Sequence, residues 1–296
     1  MADASSVAYH VAVFVSALFL LESGADKFID HTAIVASRTG ISETVIGLLT
    51  AGGEWEELAV VIACLTTNRT SLALGNIIGS SISNILGAFS LGLLFSSRDA
   101  PLEFDRSSRI YSLVLLALTT AVIPLVYFPS ATLWRVCGPV LIVVFVGYVA
   151  SVAVAVGRGV LDAPEGSDSE SESDIESEVG AERSPLLHPH EAPTTRPRQL
   201  RRHILLLLLG LGLLTLSGYL LSASASALTD ELNLSSVLFG VVILALATTL
   251  PEKMVALLSG RRGRAGILLA GCAGSNIFLL TLCLGVSRAL GLGNGQ

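Results

Sequence analysis

Hydrophobic residues in this chain come in long blocks, with the polar residues collected between them. Eight such blocks are long enough to cross a bilayer core of about 30 Å, which takes roughly 20 helical residues. They run from Val7 to Ala36, Ile41 to Leu65, Ser71 to Phe95, Ile110 to Phe128, Leu133 to Val156, Ile204 to Leu228, Ser235 to Ser259 and Ala265 to Leu290. A soluble helical protein would show apolar stripes with a charged outer face, and these blocks do not. The pattern predicts an all-α polytopic membrane protein of about eight transmembrane helices. The second half of the first block carries Asp26, Lys27 and Asp30, so it leaves the lipid or faces protein. That block is too long, and lacks the basic start, for a cleaved signal peptide.

Composition agrees: 52% of the residues are hydrophobic, 14% are charged, and the mean hydropathy is +0.71. The net charge of −6 needs dividing before it is read. Asp162 to Glu182 holds nine acidic residues and no basic one, so the remainder of the chain comes to about +3. The acidity belongs to one polar interval, residues 157–202, which separates a first transmembrane half, 1–156, from a shorter second half, 203–296. This interval contains "SDSESESDIESE" and several prolines, and too little apolar surface to offset its ordering entropy. It is expected to be a disordered linker. Its serines among acidic residues suit acid-directed kinases, but a solvated spacer is the simpler and preferred reading. "ERSPLL", Glu182 to Leu187, resembles an acidic dileucine sorting signal, which would send the protein to a vacuole or another endomembrane in preference to the plasma membrane. His188 and His190 beside Glu191 have metal-ligand chemistry, but a proline-broken loop reads as solvated. Cys64, Cys137, Cys272 and Cys283 each fall inside an apolar block without CxxC spacing, as buried thiols do.

The arginines orient the chain. With the linker in the cytosol, the cytosolic connections hold Arg38, Arg98, Arg106, Arg109, the linker's basic end at Arg196 to Arg202, and Arg261, Arg262 and Arg264. The other side keeps only Arg69, Arg135 and Arg288. That asymmetry satisfies the positive-inside rule with both termini outside the cytosol.

The two halves also repeat. At an offset of 195, "EELAVVIACLTTNRTSLALGNIIGSSI" from Glu56 to Ile82 runs in step with "PEKMVALLSGRRGRAGILLAGCAGSNI" from Pro251 to Ile277. Glu57 falls on Glu252, Gly79 on Gly274, and Ser80 on Ser275. Upstream, "GISETVIG" ending at Gly47 matches "NLSSVLFG" ending at Gly240 at an offset of 193, so the first repeat is two residues shorter before its glutamate. Five predicted helices precede the linker, an odd number. The repeats therefore lie in opposite orientations, the inverted-repeat plan of secondary transporters, whose sites sit near the bilayer midplane.

"ALATTLPEKMVAL" followed by "GCAGSNIF" resembles an alpha repeat of the calcium/cation antiporter superfamily, the sodium/calcium exchanger group. "GEWEEL" followed by "GNIIGSSISN" resembles its other repeat in a more divergent form. The resemblance covers about residues 42–95 and 235–285. It implies a secondary active antiporter, not an enzyme, that carries Ca²⁺ against H⁺ or Na⁺ by alternating access, with no resident cofactor. Its partners would be the lipid bilayer and these cations, not nucleic acid. The implied cation site centres on Glu57 and Glu252, with Glu54, Thr248, Thr249, Asn84, Ser80, Ser81, Ser275 and Asn276 as further oxygen donors.

Residue chemistry supports that assignment independently. Irregular backbone in a membrane is tolerated only where it lines a cavity or is buried in protein. Gly52 and Gly53 in one repeat, and Thr248 to Pro251 in the other, are where helices break. Pro251 removes a donor and frees carbonyls near Ala247. Carbonyls, hydroxyls and carboxylates make an all-oxygen cage suited to Ca²⁺, with no Cys or His to favour zinc or copper. Gly75, Gly79, Gly271 and Gly274 are expected to let their helices approach closely. Glu56 is expected to face solvent, Trp55 to pack or lie at an interface, and Glu57 has a bland alternative as the partner of Arg69 or Lys27. Which of Glu54 and Glu57 faces the site is left open by the sequence.

Three departures qualify the resemblance. The first repeat lacks Thr-Ser-x-Pro, with Glu54 and Glu56 in place of the serine and proline. Leu279 stands where the second repeat of the family carries Asn or Asp. Three helices follow the linker where the family usually has five, which suggests an eight-helix form, a homo-oligomer or helper subunit supplying two more, or an incomplete sequence. Fewer neutral ligands and surplus carboxylates favour H⁺ over Na⁺ as the counter-ion. The competing expectation is a non-transporting scaffold or calcium sensor that acts through the acidic linker, and a channel is a third.

Overall fold

A computed structural model describes residues 4–38, 53–96, 106–127, 131–158 and 197–291. Among these residues every regular element is helical. We number them α1 (Ala4–Arg38), α2 (Trp55–Thr66), α3 (Thr70–Leu94), α4 (Arg106–Tyr127), α5 (Ala131–Gly157), α6 (Pro197–Glu231), α7 (Ser236–Thr248), α8 (Leu250–Arg261) and α9 (Ala265–Leu290). The helices α1, α3, α4, α5, α6 and α9 are long and apolar enough to cross a membrane. The pair α7 and α8, bent by 53° at Thr249, is long and apolar enough only when the two are taken together. Of the expected span from 41 to 65, the second half is α2; its first half, with Gly52, lies outside the described residues. So does most of the linker, while α6 begins at Pro197, inside the polar interval. The protein is a multi-pass integral membrane protein.

Side chains facing outward are the ones lipid favours. Phe19, Leu86 and Leu94 are each more than 70% exposed, with nothing but apolar atoms to offer. The core is built by Phe14, Leu21, Val60, Leu72, Ile77, Leu221, Leu244 and Phe278. An aromatic series holds it laterally: Phe28, Trp55, Phe278 and Phe145 meet edge to face at centroid distances of 5.5, 5.4 and 5.4 Å. Trp55 is thus a packing residue. The thiols of Cys64, Cys272 and Cys283 are buried as expected, Cys137 on α5 is only half-buried, and none of the four is in a disulfide.

Pairing runs across the two halves. The helices α1 and α6 have 35 residues each, are related by the offset of 193, and pack along one another. A Cβ at Gly24 would lie 2.9 Å from the Leu214 backbone nitrogen, and one at Gly210 would lie 2.6 Å from that of Phe28. Where α3 of the first repeat crosses α7 of the second, Gly75 and Gly240 place backbone on backbone. Gly79 fits the same crossing against Val241 and Ala245. Without a hydrophobic drive between helices in lipid, such close van der Waals contact is what holds them.

Candidate functional site

The repeat found at offset 195 extends to the backbone. Both α2 and α8 have 12 residues, Trp55 falls on Leu250, and each helix ends in the same turn. Asn68 and Gly263, equivalent positions, are left-handed with φ of 58° and 70°. The next amide, from Arg69 or Arg264, donates back to Cys64 O at 2.7 Å or Ser259 O at 2.9 Å. This is the capping geometry that satisfies the last carbonyls of a helix and reverses the chain. It sends α3 and α9 back beside the helices that precede them.

These turns put Glu57 and Glu252 at the third position of α2 and α8. The first turn of a helix presents unsatisfied amides and the positive end of the dipole, which stabilises a carboxylate by about 0.3–1 kcal/mol and more when partly buried. Glu54 holds the N-cap position of α2, immediately before it, without a side-chain capping hydrogen bond. The carboxylates of Glu54, Glu56 and Glu57 all lie within 4.8 Å of one another. Glu54 and Glu57 are 3% and 0% exposed.

A cavity of about 190 Å³ opens against this cluster. Glu54, Glu56, Asn84, Glu252 and Ser275 line it, with Glu22 and Asp26 of α1 and with Gly53, Pro251 and Gly271; Cys272 also lines it, so a thiol borders a site expected to offer oxygens alone. The space exceeds the roughly 30 Å³ share of one water several-fold, enough for a cation with part of its hydration shell. Many buried oxygens around it lack hydrogen-bond partners among the described residues. These are Oε2 of Glu54 and of Glu252 and Oδ1 of Asn84 in its lining, and both oxygens of Glu57 in the cluster beside it. Orphaned buried acceptors are costly, and carboxylates most of all. Such a set is satisfied by a cation or by protons.

The sequence-derived residues divide into three groups. Glu54, Glu57, Glu252, Asn84, Ser275, Gly53 and Pro251 meet at the cavity or the cluster beside it, with Asn84 Nδ2 donating to Glu54 Oε1 at 3.2 Å. Thr248 and Thr249 are buried at the helix break but donate backward, to Leu244 O at 3.1 Å and Ala245 O at 2.6 Å. Ser81 and Asn276 line a separate apolar recess between α3, α4 and α9. Both side-chain atoms of Asn276 are buried without partners among the described residues. Ser80 is fully buried.

Several expectations change. Glu56 does not stand out into solvent; it is half-buried and shares the carboxylate cluster, because the helix starts at Trp55 and its first turn faces the cavity. Arg69 pairs with Asp230, at 2.6 and 3.1 Å, and Lys27 donates to Ser23, so neither serves Glu57. Gly79 is a close-contact glycine as expected, whereas a Cβ at Gly271 would meet nothing within 4 Å among the described residues, and Gly271 borders the cavity instead. Gly274 is half-buried on α9.

Other residues of the site went unrecognised in the sequence. Glu22 is one helical turn from Asp26, a spacing that places both on one face of α1 and was the available signal. Asn76, fully buried with an unpartnered amide among the described residues, sits one turn before Ser80. The π-helical stretches Ser83–Phe89, Phe239–Leu244 and Leu279–Cys283 had no sequence signature. Two of them directly follow the Gly-Ser segments of α3 and α9 at equivalent positions, and such widened turns recur at functional sites.

Opposed, matching repeats with broken helix ends around an acidic cavity define a secondary-transporter architecture. The sequence profile of the family described as "Sodium/calcium exchanger protein" matches residues 9–154 and 202–293, and the chain belongs to this family. It is 27% identical over 279 residues to the putative antiporter CaxA of Alkalimonas amylolytica, covering 93% of this chain and 79% of that protein. Among solved structures, native YfkE has a TM-score of 0.63 at 14% identity, over 95% of this chain and 74% of that one. The sodium-calcium exchanger NCX_Mj has a TM-score of 0.53 at 23% identity, over 96% and 83%. Relatives of this kind are transporters, not enzymes.

Proposed function

We propose that the protein is a secondary active antiporter that exchanges Ca²⁺ for monovalent cations by alternating access, with H⁺ the favoured counter-ion. The observation that carries this reading is the convergence of carboxylates from two opposed repeats, Glu54 and Glu56 from one and Glu252 from the other, around one cavity with orphaned oxygens, with Glu57 buried in the carboxylate cluster beside it. Ca²⁺ takes about six to eight oxygens in flexible geometry, and carboxylates with Asn84 and Ser275 offer that chemistry. Glu57 and Glu252 are the principal ligands in this reading, Glu54 a third, and the remaining hydroxyls and amides neutral donors that engage as the helices move.

Exchange, as opposed to a leak, follows from charge. An empty cluster of this kind would cross the apolar phase carrying several uncompensated negative charges. The carrier reorients readily only when Ca²⁺ or protons neutralise it, so movement of one requires counter-movement of the other. Surplus carboxylates supply proton sites, and Leu279 removes an oxygen that sodium coupling would use. The names of CaxA, an antiporter, and NCX_Mj, a sodium-calcium exchanger, agree with the cation class.

The deciding experiment is Ca²⁺ uptake into proteoliposomes under imposed H⁺ or Na⁺ gradients. Uptake driven by an outward H⁺ gradient, and lowered more than about 100-fold by Glu252→Gln, is the expected result. Uptake that responds to neither gradient, or survives that substitution, overturns the proposal, and absence of uptake under every gradient favours a non-transporting relative.

A further inference from the structure

One cation belongs to the site permanently. Lys253, immediately after Glu252, is 9% exposed, and its ammonium does not reach toward water or lipid headgroups. It folds back over the break between α7 and α8. There Nζ donates to Thr249 Oγ1 at 2.6 Å, to Thr249 O at 3.0 Å and to Leu246 O at 3.5 Å. These are the carbonyl and hydroxyl oxygens that a broken helix offers to an ion.

The cradle around that ammonium is completely used. A hydroxyl has one proton and two lone pairs. Thr249 spends its proton on Ala245 O and accepts from Lys253, while Ser83 Oγ of α3 lies 2.9 Å away on the remaining lone pair. Room for the aliphatic stem comes from Gly87, where a Cβ would sit 3.0 Å from Lys253 Cε. In the other repeat the positions equivalent to Thr249 and Lys253 are Glu54 and Leu58, so no ammonium is supplied there. Six carboxylates, Glu22, Asp26, Glu54, Glu56, Glu57 and Glu252, then share the region with this ammonium, a positive charge that is tethered to the protein where a mobile cation would come and go.

We propose that the Lys253 ammonium is a tethered stand-in for a monovalent cation, filling the oxygen cradle at the α7–α8 break so that no Na⁺ binds there. This rests on the antiporter reading and deepens it. One cation position is fixed to the protein, the exchange cycle takes up one fewer mobile monovalent ion, and Na⁺ is disfavoured as the driving ion. The lysine acts as a specificity-determining residue through its charge and reach.

The test uses the full chain with Lys253→Met, Lys253→Gln and Lys253→Arg. Two readouts are made: radioactive Na⁺ binding to purified protein without Ca²⁺, and Ca²⁺ uptake into proteoliposomes driven by an outward Na⁺ gradient at clamped pH. Both neutral variants should bind one more Na⁺ per chain than the wild type, and Na⁺-driven uptake should rise at least about fivefold. Lys253→Arg should match the wild type in both. If either neutral variant folds and binds no more Na⁺ than the wild type, the proposal is overturned; if neither folds while Lys253→Arg does, the lysine is a structural tie and the proposal is again overturned. Absence of Ca²⁺ exchange in every protein under every gradient would remove the antiporter reading instead, and Na⁺ binding would still decide the role of Lys253.

Discussion

The segments α2–α3 and α8–α9 share a backbone and differ in chemistry. Helix starts, helix lengths, left-handed turn residues and the capping hydrogen bonds coincide at an offset of 195. At the same offset Glu54 faces Thr249, Glu56 faces Pro251, Leu58 faces Lys253 and Asn84 faces Leu279. The first segment brings three clustered carboxylates; the second brings one, with an ammonium beside it. Turn and cap chemistry therefore sets the frame, and the residues at its helix starts are free to specialise. One repeat has become the acidic wall, and the other the break with its built-in cation.

The largest effects should come from breaking the acidic wall one carboxylate at a time. Glu57 is completely buried with no partner for either oxygen among the described residues, Glu54 is nearly as buried but accepts from Asn84, and Glu56 is half-buried. Glu57→Gln should weaken apparent Ca²⁺ affinity more than about 100-fold and Glu54→Gln about tenfold. Glu56→Gln should stay within about fivefold, as for a partly solvated charge. Concentration dependence of Ca²⁺ uptake measures all three. Equal losses would mean that the three carboxylates act as one unit and that burial does not rank them.

A second contrast lies in how the repeats use glycine. A Cβ on Gly79 would fall 2.4 Å from Val241 O and 2.6 Å from the Ala245 Cβ, where α3 meets α7. Backbone cannot give way there as a flexible side chain would, so Gly79→Ala should destabilise by about 1–3 kcal/mol, the range for overpacking a close contact. Gly271→Ala places its methyl beside the cavity without a clash among the described residues and should leave stability nearly unchanged. Thermal unfolding in detergent separates them. Comparable losses from both would show that α9 has a close helix contact equivalent to that of α3.

Much of this was legible in the sequence because membrane helices and repeats leave strong marks. The apolar blocks gave the spans, and the pairing of Glu57 with Glu252 gave the register that the turn at Asn68 and Gly263 repeats in space. The break at Pro251 was legible from proline's missing donor. What escaped depends on side-chain direction. The inward rotation of Glu56 is set by the start of α2 at Trp55, which the expected break at Gly52 and Gly53 brackets without fixing which side chains of the first turn face the cavity. Lys253 reads as an ordinary charge next to a glutamate until its stem is seen folded over Thr249. The division of Ser81 and Asn276 from the acidic cavity follows from helix rotation, and the π-helical turns that alter that rotation have no residue code.

The smallest effects should come from the shared turns, and they test whether frame and chemistry are separable. Gly263 has φ of 70°, which an alanine adopts only at a cost of about 1–2 kcal/mol, while asparagine tolerates it better. Gly263→Ala should therefore lower thermal stability by about that amount, and Gly263→Asn, which copies the first repeat, by less. Asn68→Gly, which copies the second, should change stability by no more than a few tenths of a kcal/mol, since glycine's freedom in the left-handed region is offset by its unfolded-state entropy. Both turns lie at the far ends of α2 and α8 from the carboxylates, so the Ca²⁺ dependence of transport should be unaltered in all three variants. A stability order of this kind with unchanged Ca²⁺ dependence means that the turns set the frame alone; altered Ca²⁺ affinity in Gly263→Asn would mean that turn geometry reaches the acidic cavity along α8, and that frame and ligand set are one mechanical unit.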